Sequence, residues 1–389
     1  MNLDSIIFEL SLIVVGAAAL GTLFLYARQP IVIAYVAIGF AAGPNGLGVI
    51  RSTDHIEEIA HFGVILLLFL IGLNLQPLKF LKLFRKTALL TFGTSVVFGS
   101  LSLLFALLFL RYDLHSAALF GAAMMFSSTV VGLKLVPTTT LHHKRTGEIM
   151  TSILLLQDVL AILVILFVTG EKSDHILMTF AVLAGRFALL CLLSFIGVRY
   201  VMVPLLRRFD VVQEYAFVAT LGWCMLWAEA AHALGLSYEM GAFVAGLSIA
   251  SCQIALVIAE HLKPLREFFL ILFFFAIGAE LDFRIAPRLL FLALVFGVIL
   301  VPLKAGVFRF AFRKSGESLG LSRELSVRLA QSSEFSLLVV FAALSVGVLS
   351  AERAMVVQLA TITTFILSTY WVVLKYPTPI STRTTLRQD

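Results

Sequence analysis

The sequence predicts an all-α polytopic membrane protein, on three observations: an extreme apolar composition, apolar runs of bilayer length, and basic residues confined to alternate loops. Of its 389 residues, 60% are hydrophobic and 13% charged, with a mean hydropathy of +1.02. Soluble domains carry about a quarter charged residues, so composition alone selects the membrane class. Thirty-four Phe and twenty-six Gly suit helices that face lipid and pack closely on one another.

A bilayer core needs about 20 apolar residues per helix. Reading for such runs gives thirteen: 5–25, 31–50, 59–77, 87–110, 114–137, 147–169, 176–206, 213–233, 237–258, 264–281, 288–312, 322–347 and 354–376. The first has acids rather than a basic region before it and no small-residue cleavage pattern after it, so it reads as a retained helix. Residues 1–376 are thus expected to form one transmembrane domain, with 377–389 a short cytoplasmic tail.

The 29 Lys and Arg residues test this division. Loops after odd-numbered runs, counted with the run ends beside them and the tail, hold 21, Arg328 among them; those after even-numbered runs hold 6; Arg186 and Lys304 lie deeper within runs. That split places the odd-side loops and the C-terminus in the cytoplasm and the N-terminus outside, as in a multi-pass protein of the cell (inner) membrane. The net charge of +6 is spread over these loops, so it reads as a topology signal and not as a nucleic-acid surface. Cys191, Cys224 and Cys252 all sit in apolar stretches without metal-ligand spacing, as small packers do.

The chain also repeats itself. Gly72-Leu73-Asn74-Leu75 in run 3 matches Gly278-Ala279-Glu280-Leu281 in run 10 at a shift of 206. Ser127-Ser128-Thr129 in run 5 matches Ser332-Ser333-Glu334 in run 12 at 205, and Ala42-Gly43 matches Ala245-Gly246 at 203. Three ordered matches at nearly one offset predict a first repeat over 1–169, a connector helix over 176–206 and a second repeat over 213–376. An offset of seven helices, an odd number, inverts the second copy in the membrane, as in many secondary transporters.

Ionisable groups in a bilayer core are costly and mark function. Asp158 lies midway along run 6, about 17 Å from either end at 1.5 Å per residue. Gln157 points about 100° away on a regular helix, so the two face one cavity only by straddling its edge. The bland reading of Asp158 is a structural ion pair or helix–helix hydrogen bond. Ser127, Ser128 and Thr129, and again Ser332, Ser333 and Glu334, interrupt apolar runs near mid-depth. Hydroxyls loosen helices by bonding their own backbone, and broken helices aim dipole ends and freed carbonyls at a shared site; hydroxyls gluing intact helices are the alternative. Glu334 belongs to the break or caps a half-helix. Lys304, about 12 Å from the end of run 11, either snorkels to the interface or is a charge partner for a carboxylate. Arg186 snorkels or meets a neighbouring helix, and Glu229, Glu239 and Glu280 lie near the outer boundary.

A buried carboxylate is comfortable when protonated or when holding a metal cation, while the bare charge is penalised. If only occupied sites cross the membrane, a proton moves one way and a cation the other. Hydroxyls, an amide and freed carbonyls suit a hard monovalent cation, K⁺ or Na⁺; no cofactor is called for beyond the transported ions. An enzyme is disfavoured: Asp158 is the only Asp well inside a run, and neither HExxH nor GxSxG occurs. A cation channel, or a cation-coupled symporter of an organic anion, stays open as the rival reading.

At these residues the chain resembles the Kef-type branch of the second cation:proton antiporter family. The motifs are FLIGLNLQP, FSSTVVGLKL, LLLQDVLAIL, GLSYEMGAFVAGL, FFFAIGAELDF and AQSSEFSLLVVF, in order along essentially the whole chain. The resemblance implies an antiporter fold with two discontinuous crossing helices, a homodimer, elevator-like movement, and a role in pH homeostasis. It casts Gln157 and Asp158 as the ion-binding pair, Ser127, Ser128 and Thr129 as the first break, Ser332, Ser333 and Glu334 as the second, and Lys304 as a recurrent basic position. Kef proteins continue into a cytoplasmic nucleotide-binding domain, whereas this chain stops soon after run 13, so control is expected from a separate regulatory subunit if at all. The acidic regulatory loop expected between runs 9 and 10 reads Ala255-Leu256-Val257-Ile258-Ala259-Glu260-His261 instead.

Overall fold

A backbone surrounded by hydrocarbon must satisfy its own hydrogen bonds, which leaves each apolar run the choice of helix or protein-buried loop. The computed structural model describes residues 6–27, 29, 31–50, 54–74, 77–137, 145–169, 176–209, 213–250, 255–282 and 286–378. Among them all regular structure is helical, with no strand.

The helices are α1 (Ile6–Tyr26), α2 (Ile31–Ala42), α3 (Asp54–Asn74), α4 (Pro77–Phe105, extended by a π turn, Ala106–Leu110), α5 (Leu114–Met124), α6 (Thr129–Lys134) and α7 (Arg145–Thr169). They continue as α8 (Ile176–Gly197, then a π turn and Val203–Arg208), α9 (Gln213–Ala233), α10 (Tyr238–Ile249), α11 (Ala255–Glu280), α12 (Pro287–Lys314), α13 (Leu319–Arg328), α14 (Glu334–Ser345) and α15 (Ala351–Lys375). Every one of the thirteen expected runs coincides with a helix, and two of them, 114–137 and 322–347, with a broken pair. Six helical stretches among the described residues are long and apolar enough to cross a membrane, and five more are shorter apolar helices. Lipid-facing chains such as Leu89, Phe92, Leu192 and Phe310 stay exposed, as the membrane setting requires.

Three boundaries depart from expectation. α2 stops at Ala42 because the chain folds back: the Leu47 amide donates to Ala41 O and that of Ile50 to Ala42 O. Gly48 takes φ +65° in this turn, a left-handed conformation that a side chain disfavours. α4 begins at Pro77, ten residues before its apolar run, so the basic stretch is helical too. α11 begins at Ala255, so the segment read as a loop is the first turns of a helix with Pro264 inside it. Hydropathy marks where a helix enters lipid, and helices outlast that boundary wherever polar side chains can reach water.

Packing sorts the helices into two bundles. In the first, α3 lies on α10 and α11, α2 on α1 and α11, and α8 and α9 on α10. In the second, α4, α5 and α7 pack together, α12 on α13 and α15, and α14 on α7 and α15. The main backbone contact between bundles is α15 on α2.

Glycines make the first bundle tight. A Cβ on Gly39 would lie 2.1 Å from Phe275 O and 3.0 Å from Ala279 N; one on Gly246 would lie 2.0 Å from Phe69 O and 2.8 Å from Leu73 N. Likewise Gly278 abuts Val36 O at 2.1 Å and Gly72 abuts Phe243 O at 2.3 Å. The contacts of α2 with α11 reappear between α10 and α3 with partners shifted by 206 or 207 residues. The geometry therefore matches Gly246 with Gly39, where the sequence comparison had aligned it with Gly43. A local dipeptide match cannot tell which of two glycines carries the helix contact.

Candidate functional site

The second bundle holds both helix breaks. α5 ends at Met124, residues 126–128 are non-helical, and α6 starts at Thr129; α13 ends at Arg328 and α14 starts at Glu334. Broken turns release backbone groups that must be satisfied in place, and the two breaks do this for each other. The Ser127 hydroxyl donates to Leu329 O at 2.8 Å, and the Gln331 Nε2 amide approaches Ser128 O at 3.4 Å. The two non-helical segments thus meet, in the crossing arrangement expected.

Side chains cap the restarts. Ser128 Oγ accepts from the Val131 amide at 2.9 Å, and Ser333 Oγ from the Phe335 amide at 3.1 Å. Ser333 and Ser336 form a capping box at the head of α14, which fixes the entry angle of this half-helix. Ser332 N donates to Thr364 Oγ1 of α15 at 2.9 Å, while the buried Ser332 hydroxyl has no hydrogen-bond partner among the described residues.

α7 brings Gln157 and Asp158 to the first break, 0% and 1% exposed. Gln157 Oε1 accepts from the Ser127 amide at 2.9 Å, with its Nε2 3.5 Å from Ser95 Oγ on α4. The Thr129 hydroxyl, at the first residue of α6, lies 3.1 and 3.2 Å from the two carboxylate oxygens of Asp158. Glu334, 3% exposed, sits at the first residue of α14 and is close enough to act on Asp158 electrostatically. Two carboxylates therefore stand at the N-terminal, electropositive ends of two half-helices.

The opposite ends of the breaks face Lys304. Its ammonium, 0% exposed, donates to Phe126 O and, at 3.1 Å, to Gln331 O. It also lies 5.1 Å from the centre of the Phe98 ring. These carbonyls follow the C-termini of α5 and α13, where a cation is favoured. Lys304 is buried and does not snorkel, and among the described residues its hydrogen bonds go to backbone oxygens of both breaks and not to a carboxylate.

Of the residues singled out in the sequence, Asp158, Thr129, Glu334 and the serines meet at one place. Gln157, Ser127 and Ser128 spend their geometry on holding the first break. Gln331 was not singled out, yet it ties both breaks and takes a 2.9 Å bond from Ser368 on its Oε1; its position beside Ser332-Ser333 was the available signal. Arg328, counted as a cytoplasmic loop residue, is 1% exposed and binds Leu135 O and Pro377 O, each at 2.9 Å. Glu239 is paired with His61 at 2.9 Å between α10 and α3, and Arg186 approaches Gly235. Cys191 and Cys224 are free thiols; Cys252 lies outside the described residues.

Residues 11–375 match the family described as "Sodium/hydrogen exchanger, transmembrane". The chain is 27% identical over 365 residues to the iron transporter MagA of Paramagnetospirillum magneticum, covering 93% of this chain and 83% of the relative. It is 31% identical over 350 residues to the glutathione-regulated potassium-efflux system protein KefC of Enterobacter sp., covering 85% of this chain but 54% of that protein, so it spans about half of KefC's length. The structure is similar to that of the sodium proton antiporter MjNhaP1 from Methanocaldococcus jannaschii, with TM-score 0.71, 15% identity, and 95% and 99% of the two chains covered. This last likeness concerns the fold.

Proposed function

The chain belongs to the sodium/hydrogen exchanger transmembrane family and is a multi-pass cation:proton antiporter, not an enzyme, and from that premise we propose that it exchanges a monovalent cation, K⁺ or Na⁺, for protons through Asp158. The observation that carries this reading is the pairing of Asp158 with Thr129 at the head of α6, in a buried site where the two breaks meet.

Stripped of water, the Asp158 carboxylate is stabilised by a proton, by a cation, or by the dipole end of α6. A cation arriving from one side takes the place of the proton, which leaves to that side. On the other side a proton binds and the cation departs, so one charge travels each way per cycle at this residue. The hydroxyls of Thr129 and of Ser332, the latter without a hydrogen-bond partner among the described residues, supply the hard oxygen ligands that such a cation accepts. Lys304 offsets the negative ends of α5 and α13, so the empty site is not left with four converging partial charges of which two are uncompensated. Glu334 brings a second carboxylate into electrostatic reach and bears on the exchange ratio.

Alternating access follows if the second bundle moves against the first as a body. The mutual stitching of the breaks supports a rigid moving unit. The equivalent glycine contacts support two inverted repeats, 1–169 and 213–376, joined by the connector 176–206. On this reading the protein lies in the cell (inner) membrane as a homodimer, N-terminus outside.

The test is cation-dependent proton exchange in proteoliposomes, scanned over Li⁺, Na⁺, K⁺ and Rb⁺. An antiporter dissipates a preset pH gradient on addition of its cation. Cation flux without proton movement would point to a channel, and uptake of an organic anion to a symporter.

A further inference from the structure

Between the two helix breaks runs a side chain to which the exchange reading gives no part. Gln331, 1% exposed, donates from Nε2 to Ser128 O at 3.4 Å and accepts on Oε1 from the Ser368 hydroxyl of α15 at 2.9 Å. A backbone oxygen only accepts, so these partners fix which way round the amide lies. Ser128 O belongs to the peptide that leads into Thr129, and it already takes the Gly132 amide at 3.1 Å as the first carbonyl of α6. The Gln331 amide therefore holds that peptide from outside the helix. Gly132 leaves the room for it: a Cβ there would lie 3.1 Å from Gln331 Nε2.

The internal repeat picks out the same residue. Lys304 binds the carbonyls of Phe126 and Gln331, which are equivalent at the shift of 205. Their backbones are held alike, but the first break has a phenyl ring where the second has an amide. The next position differs too. The Ser127 hydroxyl is taken up by Leu329 O, whereas that of Ser332 has no hydrogen-bond partner among the described residues. The peptide joining Gln331 to Ser332 is pinned at both ends, its oxygen by Lys304 and its N–H by Thr364.

We propose that Gln331 is a positioning residue for cation selectivity: anchored by Ser368, it fixes the separation of Thr129 and Ser332, the two hydroxyls offered to the ion beside Asp158. The inference rests on the exchange reading of Asp158 above. Discrimination among hard cations depends on the size and rigidity of the oxygen shell, and outer hydrogen bonds hold the ligands in place. Here the two hydroxyls hang on different breaks, so the shell is only as rigid as the ties between them. Ser127 on Leu329 ties the backbones; Gln331 on Ser128 O reaches the peptide of Thr129 itself.

The test measures KM and kcat of cation-dependent proton exchange in proteoliposomes for Li⁺, Na⁺, K⁺ and Rb⁺, with the unfolding temperature of each variant. Gln331→Met removes the amide at similar volume, and Ser368→Ala frees its anchored end. Gly132→Ala presses the amide away from Ser128 O without removing any donor. Each is expected to shrink the ratio of KM between the worst and the best cation about three- to tenfold, the scale of one hydrogen bond, with kcat for the best cation close to wild type. A merely structural role would lower unfolding temperature and activity while the four KM values keep their ratios, and that result overturns the proposal. If Gln331→Met does not fold, Ser368→Ala and Gly132→Ala give the same readout. Exchange that persists in Asp158→Asn overturns the exchange reading and this inference with it, whereas exchange that depends on Asp158 with unmoved KM ratios overturns this inference alone.

Discussion

Lys304 and Gln331 are joined across the bundle by a 3.1 Å hydrogen bond from the ammonium to the backbone oxygen. The same ammonium binds Phe126 O, so one side chain closes the C-terminal ends of two half-helices. The arrangement makes Lys304 part of the fold of the breaks before it is part of any charge balance.

Replacing it by methionine keeps the volume and removes the donors. Two buried carbonyls are then orphaned at about 1–3 kcal/mol each, so Lys304→Met should lower the unfolding temperature in detergent by many degrees. Lys304→Gln, which restores one donor group, should recover part of the loss. Equal stability of all three proteins would contradict the capping role.

Asp158→Asn should abolish cation-coupled proton movement while leaving expression and unfolding temperature near wild type. Thr129→Val removes the one hydroxyl among the described residues that is hydrogen-bonded to that carboxylate and should weaken the apparent cation affinity about tenfold, equivalent to about 1.4 kcal/mol. Glu334→Gln should reduce exchange without abolishing it. The reverse pattern, with Glu334 indispensable and Asp158 dispensable, would move the ion to the second carboxylate.

Gly39→Ala and Gly246→Ala should be destabilising by similar amounts, about 1–3 kcal/mol each, because each Cβ would meet backbone near 2 Å. Gly93→Ala and Gly306→Ala, with nothing within 4 Å, are the controls; a helical Gly→Ala change there should be neutral or stabilising by up to about 1 kcal/mol. Thermal unfolding of the four variants reads the difference.

Asp113 caps α5 and also pairs with Arg353 at 3.0 Å. The Ser116 backbone amide first, then the Ser116 hydroxyl and Arg353, hold its carboxyl below the usual range. A depressed carboxylate stabilises the fold above its unfolded-state pKa, and the contribution is lost as pH falls through the folded value. Asp113→Ala should therefore lower the unfolding temperature at neutral pH, and the gap to wild type should close only in acid. A gap that persists unchanged there would assign the effect to packing instead of charge.

The breaks show how far composition and spacing reach. Ser127-Ser128 and Ser332-Ser333 stand out because hydroxyl clusters are rare in apolar runs, and α5/α6 and α13/α14 divide there. Asp158 was legible for the same reason: its cost in hydrocarbon is visible without coordinates. The direction of Lys304 was not, since a long flexible side chain reaches water, a carboxylate or a carbonyl with equal ease. Arg328 misled because a positive charge near a helix end usually sits in water, and here a fold of the chain brings Leu135 O and Pro377 O to meet it.

By itself the sequence determined that this chain crosses a membrane many times, which runs become helices, and that one acid is buried at mid-depth. Those follow from solvation, a property each residue carries alone. Which donor meets which acceptor was decided only by the tertiary structure: Ser127 on Leu329, Gln157 on the Ser127 amide, Lys304 on two carbonyls. Hydrogen bonds between residues 27 to 202 positions apart depend on where whole helices come to rest, and no local pattern encodes that.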